Sequence, residues 1–356
     1  MLFNVLLVFV PIAIVLRFAG ADPLWVFAAS ALAIVPLSDR LANSTEKVAG
    51  YLGSTLGGLL NASLGNAPEI IIGAFALKNG LQEVVKASLT GSLLVNLLLA
   101  PGLAMAFGGW KREKQSFNPV RAGTAAILML LASVGLIIPS LFKIASRQDE
   151  EELSLLIAII LFVLYGLSLY FSLGTHRKLF NAPAEADSPH KPAHEASRSP
   201  AELKKSLVWL GISAVLLAVV SEMLTDALDE AAKSLGLGEV FAGVIVVGML
   251  GSVSSVFAAI RFAKNDNLDL AIGVTLGAAQ QVALVVAPLL LFLSYAFGPA
   301  MNLLFTPFEV VSITLAVLIV SSCTRDGESN WFEGALLTAL YLMFAVGFYF
   351  LPVSGD

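Results

Sequence analysis

The sequence predicts an all-α membrane protein of about eleven transmembrane helices: a first helix, then two inverted five-helix repeats. Three observations carry this. The 356 residues are 57% hydrophobic and only 13% charged, well under the roughly 25% charged of soluble domains. Apolar runs long enough to cross hydrocarbon, about 20 residues each, recur along the whole length. Two stretches in opposite halves of the chain also match without a gap.

The apolar segments fall at 2–19, 24–38, 52–77, 82–107, 120–142, 153–173, 206–224, 238–263, 268–295, 303–323 and 332–352. Backbone inside a bilayer must bond to itself, and these runs lack strand alternation, so they read as helices. The first, "MLFNVLLVFVPIAIVLRF", has neither a basic start nor a small-residue cleavage site and reads as a retained span. The second is short. The third, fourth, eighth and ninth are rich in small and polar residues and should face protein or water. Residues 174–205 change character, with Pro, Ala, Ser and charge in place of aliphatics, and read as a solvated linker. The chain thus divides into 1–22 (first helix), 23–175 (first repeat), 176–205 (cytoplasmic linker) and 206–356 (second repeat). Most of the 21 Lys and Arg residues lie in alternate loops, including "KREK" at 111–114. This places the N-terminus in the cytoplasm and the C-terminus outside. The acidic stretch 222–239 reads as an outward loop.

Several function classes drop out. A net charge of −5 and no basic stripe argue against nucleic acid. The single Cys323 excludes an intrachain disulfide or a cysteine zinc site. No nucleophile–base set, phosphate loop or metalloprotease motif is present, so an enzyme is not expected, nor is a resident cofactor. His176, His190 and His194 all fall in or beside the linker and read as solvated.

The repeat is "LGNAPEIIIGAFALKNGLQEVVKASLTG" (64–91) over "LGSVSSVFAAIRFAKNDNLDLAIGVTLG" (250–277). Lys78-Asn79 meets Lys264-Asn265, and Glu83 meets Asp269. Five spans per half is odd, so the second copy enters the membrane from the opposite side. That is the arrangement of secondary transporters, whose ion sites lie near the midplane where polar, broken helices of both halves meet.

Glu69 sits near the middle of its apolar segment. An ionised side chain there costs on the order of 3 kcal/mol on insertion scales, unless a cation or a proton compensates it. Alternation between those two partners is ion exchange. The competing reading, a structural Glu with a buried basic partner, is disfavoured because no Lys or Arg is expected in a neighbouring apolar core. Pro68 removes an N–H and displaces the carbonyl of Leu64, and Asn66 adds an amide oxygen. Oxygen ligands of these kinds suit Ca²⁺. Ser88, Ser92 and Asn96 share one face of the fourth span, and Gln280 and Gln281 are their counterparts in the ninth. Gly53, Gly57, Gly58 and Gly65, and separately Gly273 and Gly277, read as close-packing edges. Trp331 and Phe332 read as interface anchors.

These residues resemble the Ca²⁺/H⁺ antiporters of the calcium/cation antiporter superfamily. The resemblance rests on 57–104, 221–247 and 325–350 and covers nearly all but the linker. It implies alternating access, with Glu69 exchanging Ca²⁺ for protons. A cell-membrane location and a homo-oligomer are separate expectations. The expected lining is Asn66, the Leu64 carbonyl, Ser92, Asn96, Ser252, Ser255 and Gln281. One half departs from the family: where its members resemble Gly-Asn-Ala-Ala-Glu-His, this chain reads Gly-Ser-Val-Ser-Ser-Val, and Ser255 stands in the place of the second Glu. Ala278 and Ala279 replace two serines. A lone carboxylate leaves a bound Ca²⁺ with excess charge. Three readings stay open: a weaker or wetter Ca²⁺ site, a Na⁺-type monovalent exchanger, or a non-transporting homologue. Glu222, Asp226 and Glu309 are candidates to replace the missing acid.

Overall fold

The computed structural model describes residues 2–141, 146–176, 200–298 and 300–351. Residues 177–199 of the linker, with His190 and His194, lie outside the described residues, and its last residues, 200–205, are already helical.

Eleven helical rods follow in chain order among the described residues. Rod α1 is built from Leu2–Leu6 and Phe9–Phe18. Next come α2 (Pro23–Leu64), α3 (Ala67–Lys78), α4 (Gln82–Gly109), α5 (Pro119–Leu141) and α6 (Arg147–Thr175). The second half holds α7 (Pro200–Ser234), α8 (Glu239–Lys264), α9 (Leu268–Phe297), α10 (Pro307–Cys323) and α11 (Trp331–Tyr349). Eight of the rods are long and apolar enough to cross a membrane. Ile127, Leu131 and Val134 on α5 and Ile160, Val163 and Leu167 on α6 are exposed, as lipid-facing helices require. Rod α4 is the most enclosed of these long helices and α6 the least.

Boundaries differ from the sequence reading in instructive ways. Helix α2 does not stop near 38 but runs as helix to Leu64. It is not straight: a side chain at Gly57 would overlap the Ala49 carbonyl. Eight residues of straight helix rise about 12 Å, so the chain turns back between these positions. The third span therefore enters through 57–64 and resumes as α3. Glu222, Asp226, Asp229 and Glu230 belong to α7 rather than to a loop, because that helix continues to Ser234. Helix α6 starts in the charged run after Ser146, whose hydroxyl accepts from the Asp149 amide as an N-cap. A two-stranded antiparallel pair, Gln115–Ser116 with Glu328–Ser329, ties the α4–α5 and α10–α11 loops together; short pairings of this kind leave no periodic signal.

The centre is held by close backbone contacts. Gly91 of α4 lies against the Val244 backbone of α8, and a Cβ on Gly248 would sit 2.7 Å from the Gly91 Cα. Gly102 of α4 faces Thr338 and Gly334 of α11 in the same way. Gly273 and Gly277 do not form a packing edge. They line an open cavity, and a Cβ on Gly277 would meet nothing within 4 Å.

Four stretches widen into π-helix: Val95–Leu99 in α4, Tyr170–Thr175 in α6, Ala242–Val247 in α8 and Val282–Val286 in α9. Those in α4 and α9 each precede an Ala-Pro pair, Pro101 and Pro288. The missing N–H and the ring displace the carbonyl four residues earlier, which accounts for the widened turn at the same place in both halves.

Candidate functional site

The α2–α3 break supplies the geometry. Asn66 leaves helical angles (φ −110°, ψ 29°) and precedes α3, whose second residue is Pro68. The chain breaks outright rather than kinking, because Pro68 starts a new helix. Glu69 stands in the first turn of α3 and is buried.

A cavity of about 620 Å³ opens at the end of the molecule formed by the α4–α5 loop, the α8–α9 turn and the C-terminal part of α6. Asp39, Glu46 and Asp269 stand among its lining residues. At its deep end lie Gly65, Asn66, Ser254, Ser255 and Gln281. The Asn66 side-chain amide donates to Gln281 Oε1 at 3.1 Å and to the Ala278 carbonyl at 3.4 Å. This pair joins the two halves of the chain and floors the cavity. Leu64 is not part of the lining; Gly65 and Asn66 take that place.

Glu69 lies one helical turn beyond that floor. The Ser252 hydroxyl donates to its Oε1 at 3.3 Å, and Asn96 Nδ2 donates to Ser252 Oγ at 3.0 Å. Two buried oxygens here have no hydrogen-bond partner among the described residues: Glu69 Oε2 and Asn96 Oδ1. Both are acceptors, and they belong to side chains linked through Ser252. Unpaired acceptors in a low-dielectric interior are costly, and a cation or a proton held by this cluster would satisfy them. Ser92 donates to the Gly248 carbonyl at 3.3 Å. On the far side a small void is bounded by Glu69, Ser88, Ser92 and Val247. Ser88 spends its hydroxyl on the Val85 carbonyl.

The predicted lining thus divides. Glu69, Ser252 and Asn96 form one connected cluster with Ser92 at its edge. Asn66, Gln281 and Ser255 belong to the cavity. Gln280 also lines the cavity but donates to the Ala125 carbonyl.

The three substitute acids are not at the site. Glu222 pairs with Lys78 at 2.8 Å, and Asp226 pairs with Arg17. Glu309 is buried but committed: it forms a capping box with Thr306 and accepts from Thr90 at 2.9 Å. The expectation of no buried basic residue nearby also needs correction. Lys86 of α4 is buried, but it pairs with Glu83 at 2.7 Å and donates to Asn302 and the Leu304 carbonyl, not to Glu69. Its four-carbon stem lets an apolar helix bury it, which is why a sequence scan passes over it. Gly251 was also passed over: a Cβ there would sit 2.7 Å from Glu69 Cγ, so a bare backbone makes room for the carboxylate.

The model of the sodium/calcium exchanger protein family matches residues 23–174 and again 205–350. A Ca²⁺/H⁺ antiporter of Aphanothece halophytica is 40% identical over 99% of this chain and 97% of its own. A Ca²⁺/H⁺ antiporter of a Synechocystis strain is 41% identical over 99% and 98%. Among solved structures, native YfkE superposes with a TM-score of 0.85 at 34% identity, covering 98% of this chain and all of that one.

Proposed function

The chain belongs to the sodium/calcium exchanger protein family, and we propose that it exchanges Ca²⁺ for protons across a membrane by alternating access. The observation that carries this reading is the Glu69 carboxylate. It is buried one turn beyond a cavity floor, and one oxygen lacks a partner among the described residues. Glu69 is the group that holds the cation and the proton in alternation. Ser252 and Asn96 supply neutral oxygens beside it, and Asn66 and Gln281 form the passage from the cavity. Ca²⁺ is cargo, and no resident cofactor or enzymatic step is assigned. The repeat units are taken as 23–175 and 206–356, with the N-terminus and the cavity mouth cytoplasmic in a cell membrane. The basic loops support that orientation.

Ser255 favours a second reading, in which the same machinery carries a monovalent cation. It stands on the cavity wall where the repeat would place a second acid. Proton-driven ⁴⁵Ca²⁺ uptake into inverted vesicles tests the first reading. We expect uptake in the unaltered protein and loss of at least about a hundred-fold in Glu69→Gln, which keeps the shape but not the charge. Uptake unchanged in that variant refutes the role of Glu69. Na⁺-dependent proton flux without Ca²⁺ flux selects the second reading.

A further inference from the structure

The two ends of the molecule differ. The end away from the cavity is shut by polar contacts between α3 and α7. Asn79 donates to Thr225 Oγ1 at 3.1 Å and to Asp226 Oδ1 at 2.8 Å. Lys78 pairs with Glu222, and Arg17 of α1 pairs with Asp226. The Thr225 hydroxyl itself donates to the Glu222 carbonyl at 3.1 Å.

The inverted repeat puts the same parts at the open end. Lys78-Asn79 ends α3, and Lys264-Asn265 ends α8 at the equivalent place. The receiving segment also has a twin. "LTDAL" (224–228) of α7 reads as "LSDRL" (37–41) in α2, so Thr225 and Asp226 correspond to Ser38 and Asp39. Their states are opposite. Thr225 and Asp226 hold Asn79, whereas Ser38 Oγ is buried with no partner among the described residues. Asp39 lines the open cavity. Asn265 is exposed, and Lys264 beside it lies over the Phe107 ring at 4.9 Å.

We propose that Ser38 and Asp39 are the docking site for Asn265, and that their union closes the cavity in the opposite conformation as the Asn79–Thr225–Asp226 union now closes the other end. One latch is made while its twin is open, so the two ends cannot close on a shared preference. Glu222 falls on Val35 in the first half, so the lysine pairing has no twin and the cavity end is held by the weaker latch. This favours the cavity-open state at rest. The residues are positioning residues: they touch no cargo and act through the tilt of α3 and α8 around Glu69. The inference rests on the alternating-access reading.

Disulfide capture in proteoliposomes tests it, in full-length protein carrying Cys323→Ser. Asn79→Cys with Asp226→Cys should join at rest. Asn265→Cys with Asp39→Cys should join at least about ten-fold faster under a pH gradient with Ca²⁺ than without either, and transport should stop until the bond is reduced. Ca²⁺-driven proton flux in a protein whose 265/39 pair never joins overturns the latch. Absence of any cation-driven proton flux in the unaltered protein overturns the exchange reading itself. A second readout needs no transport. Asn79→Ala removes two hydrogen bonds; it should shift the open-to-closed ratio by at least about five-fold, the worth of one of them, and slow thiol labelling of Ala258→Cys in the cavity. Adding Asn265→Ala should restore the rate. Equal rates in all three backgrounds overturn the latch.

Discussion

In the proposed exchange Glu69 is the residue on which the chemistry converges, and its contacts set how it would be tuned. One oxygen takes the Ser252 hydroxyl, and Asn96 steadies that serine from behind. Ser252→Ala would leave the carboxylate without that hydroxyl and the Asn96 amide with the Ser92 carbonyl as its remaining acceptor. Weaker Ca²⁺ binding by about three- to ten-fold is expected, read as a raised half-saturating Ca²⁺ concentration, in line with the roughly 0.5–1.5 kcal/mol of a single hydrogen bond. Ser255→Glu should act oppositely. Ser255 faces the cavity, so a carboxylate there stays hydrated until a cation arrives. Unit charges at 4 Å and an effective dielectric near 20 interact by about 4 kcal/mol, so at least a ten-fold gain in Ca²⁺ affinity is expected, measured by Ca²⁺-dependent thermal stabilisation; no gain removes Ser255 from the cation's path. Glu69, Asn66 and Asn96 were legible in the sequence because charge and amide in an apolar run demand a reason. Gly251 was not, since its meaning lies in the neighbour it leaves room for. The roles of Glu222, Asp226 and Glu309 were not either: an acid near the end of an apolar run reads alike whether it is free, paired from within a longer helix or capping.

At the scale of elements, the site depends on how closely α4 and α8 cross. The contact is made by Gly91 and Gly248, where backbone meets backbone. Gly248→Val would drive a branched side chain into the Gly91 backbone, which cannot rotate away, so the helices must separate. A loss of about 1–3 kcal/mol, the usual cost of overpacking, should appear as a lower melting temperature. Separation would also pull Ser92 from the Gly248 carbonyl. Gly277→Ala is the control, since its Cβ would meet nothing within 4 Å. It should melt within about 0.5 kcal/mol of the unaltered protein. The helix count and most spans could be read from hydropathy, because a bilayer-length apolar run has one stable backbone solution. Where α2 ends and which glycines pack could not. A Gly in an apolar helix looks the same whether it faces a neighbour or water, and Gly273 and Gly277 turned out to face water.

The whole molecule sets the charge moved per cycle. Two inverted halves meet at one carboxylate, because the second half offers Ser252 and Ser255 where the first has Asn66 and Glu69. The other buried acid facing the core, Glu309, is held in its capping box, and buried Lys86 in its pair with Glu83. A cycle that carries Ca²⁺ one way on Glu69 and returns on its protonated form exchanges one proton. It therefore moves one net positive charge in the direction of Ca²⁺. A one-unit pH difference is worth about 1.4 kcal/mol per proton, a factor of ten. With the voltage clamped to zero, such a gradient should hold Ca²⁺ at a ten-fold ratio. Two exchanged protons would hold a hundred-fold ratio and make the cycle electrically silent. Voltage acts on the one-proton cycle at about 2.3 kcal/mol per 100 mV, so a potential positive on the Ca²⁺-accepting side should lower the ratio. Proteoliposomes clamped with valinomycin and K⁺ give both numbers. A hundred-fold ratio, indifferent to voltage, would mean that a second proton carrier works beside Glu69. A ten-fold ratio that rises toward a hundred in Ser255→Glu would show that the number of carboxylates at the centre fixes the stoichiometry.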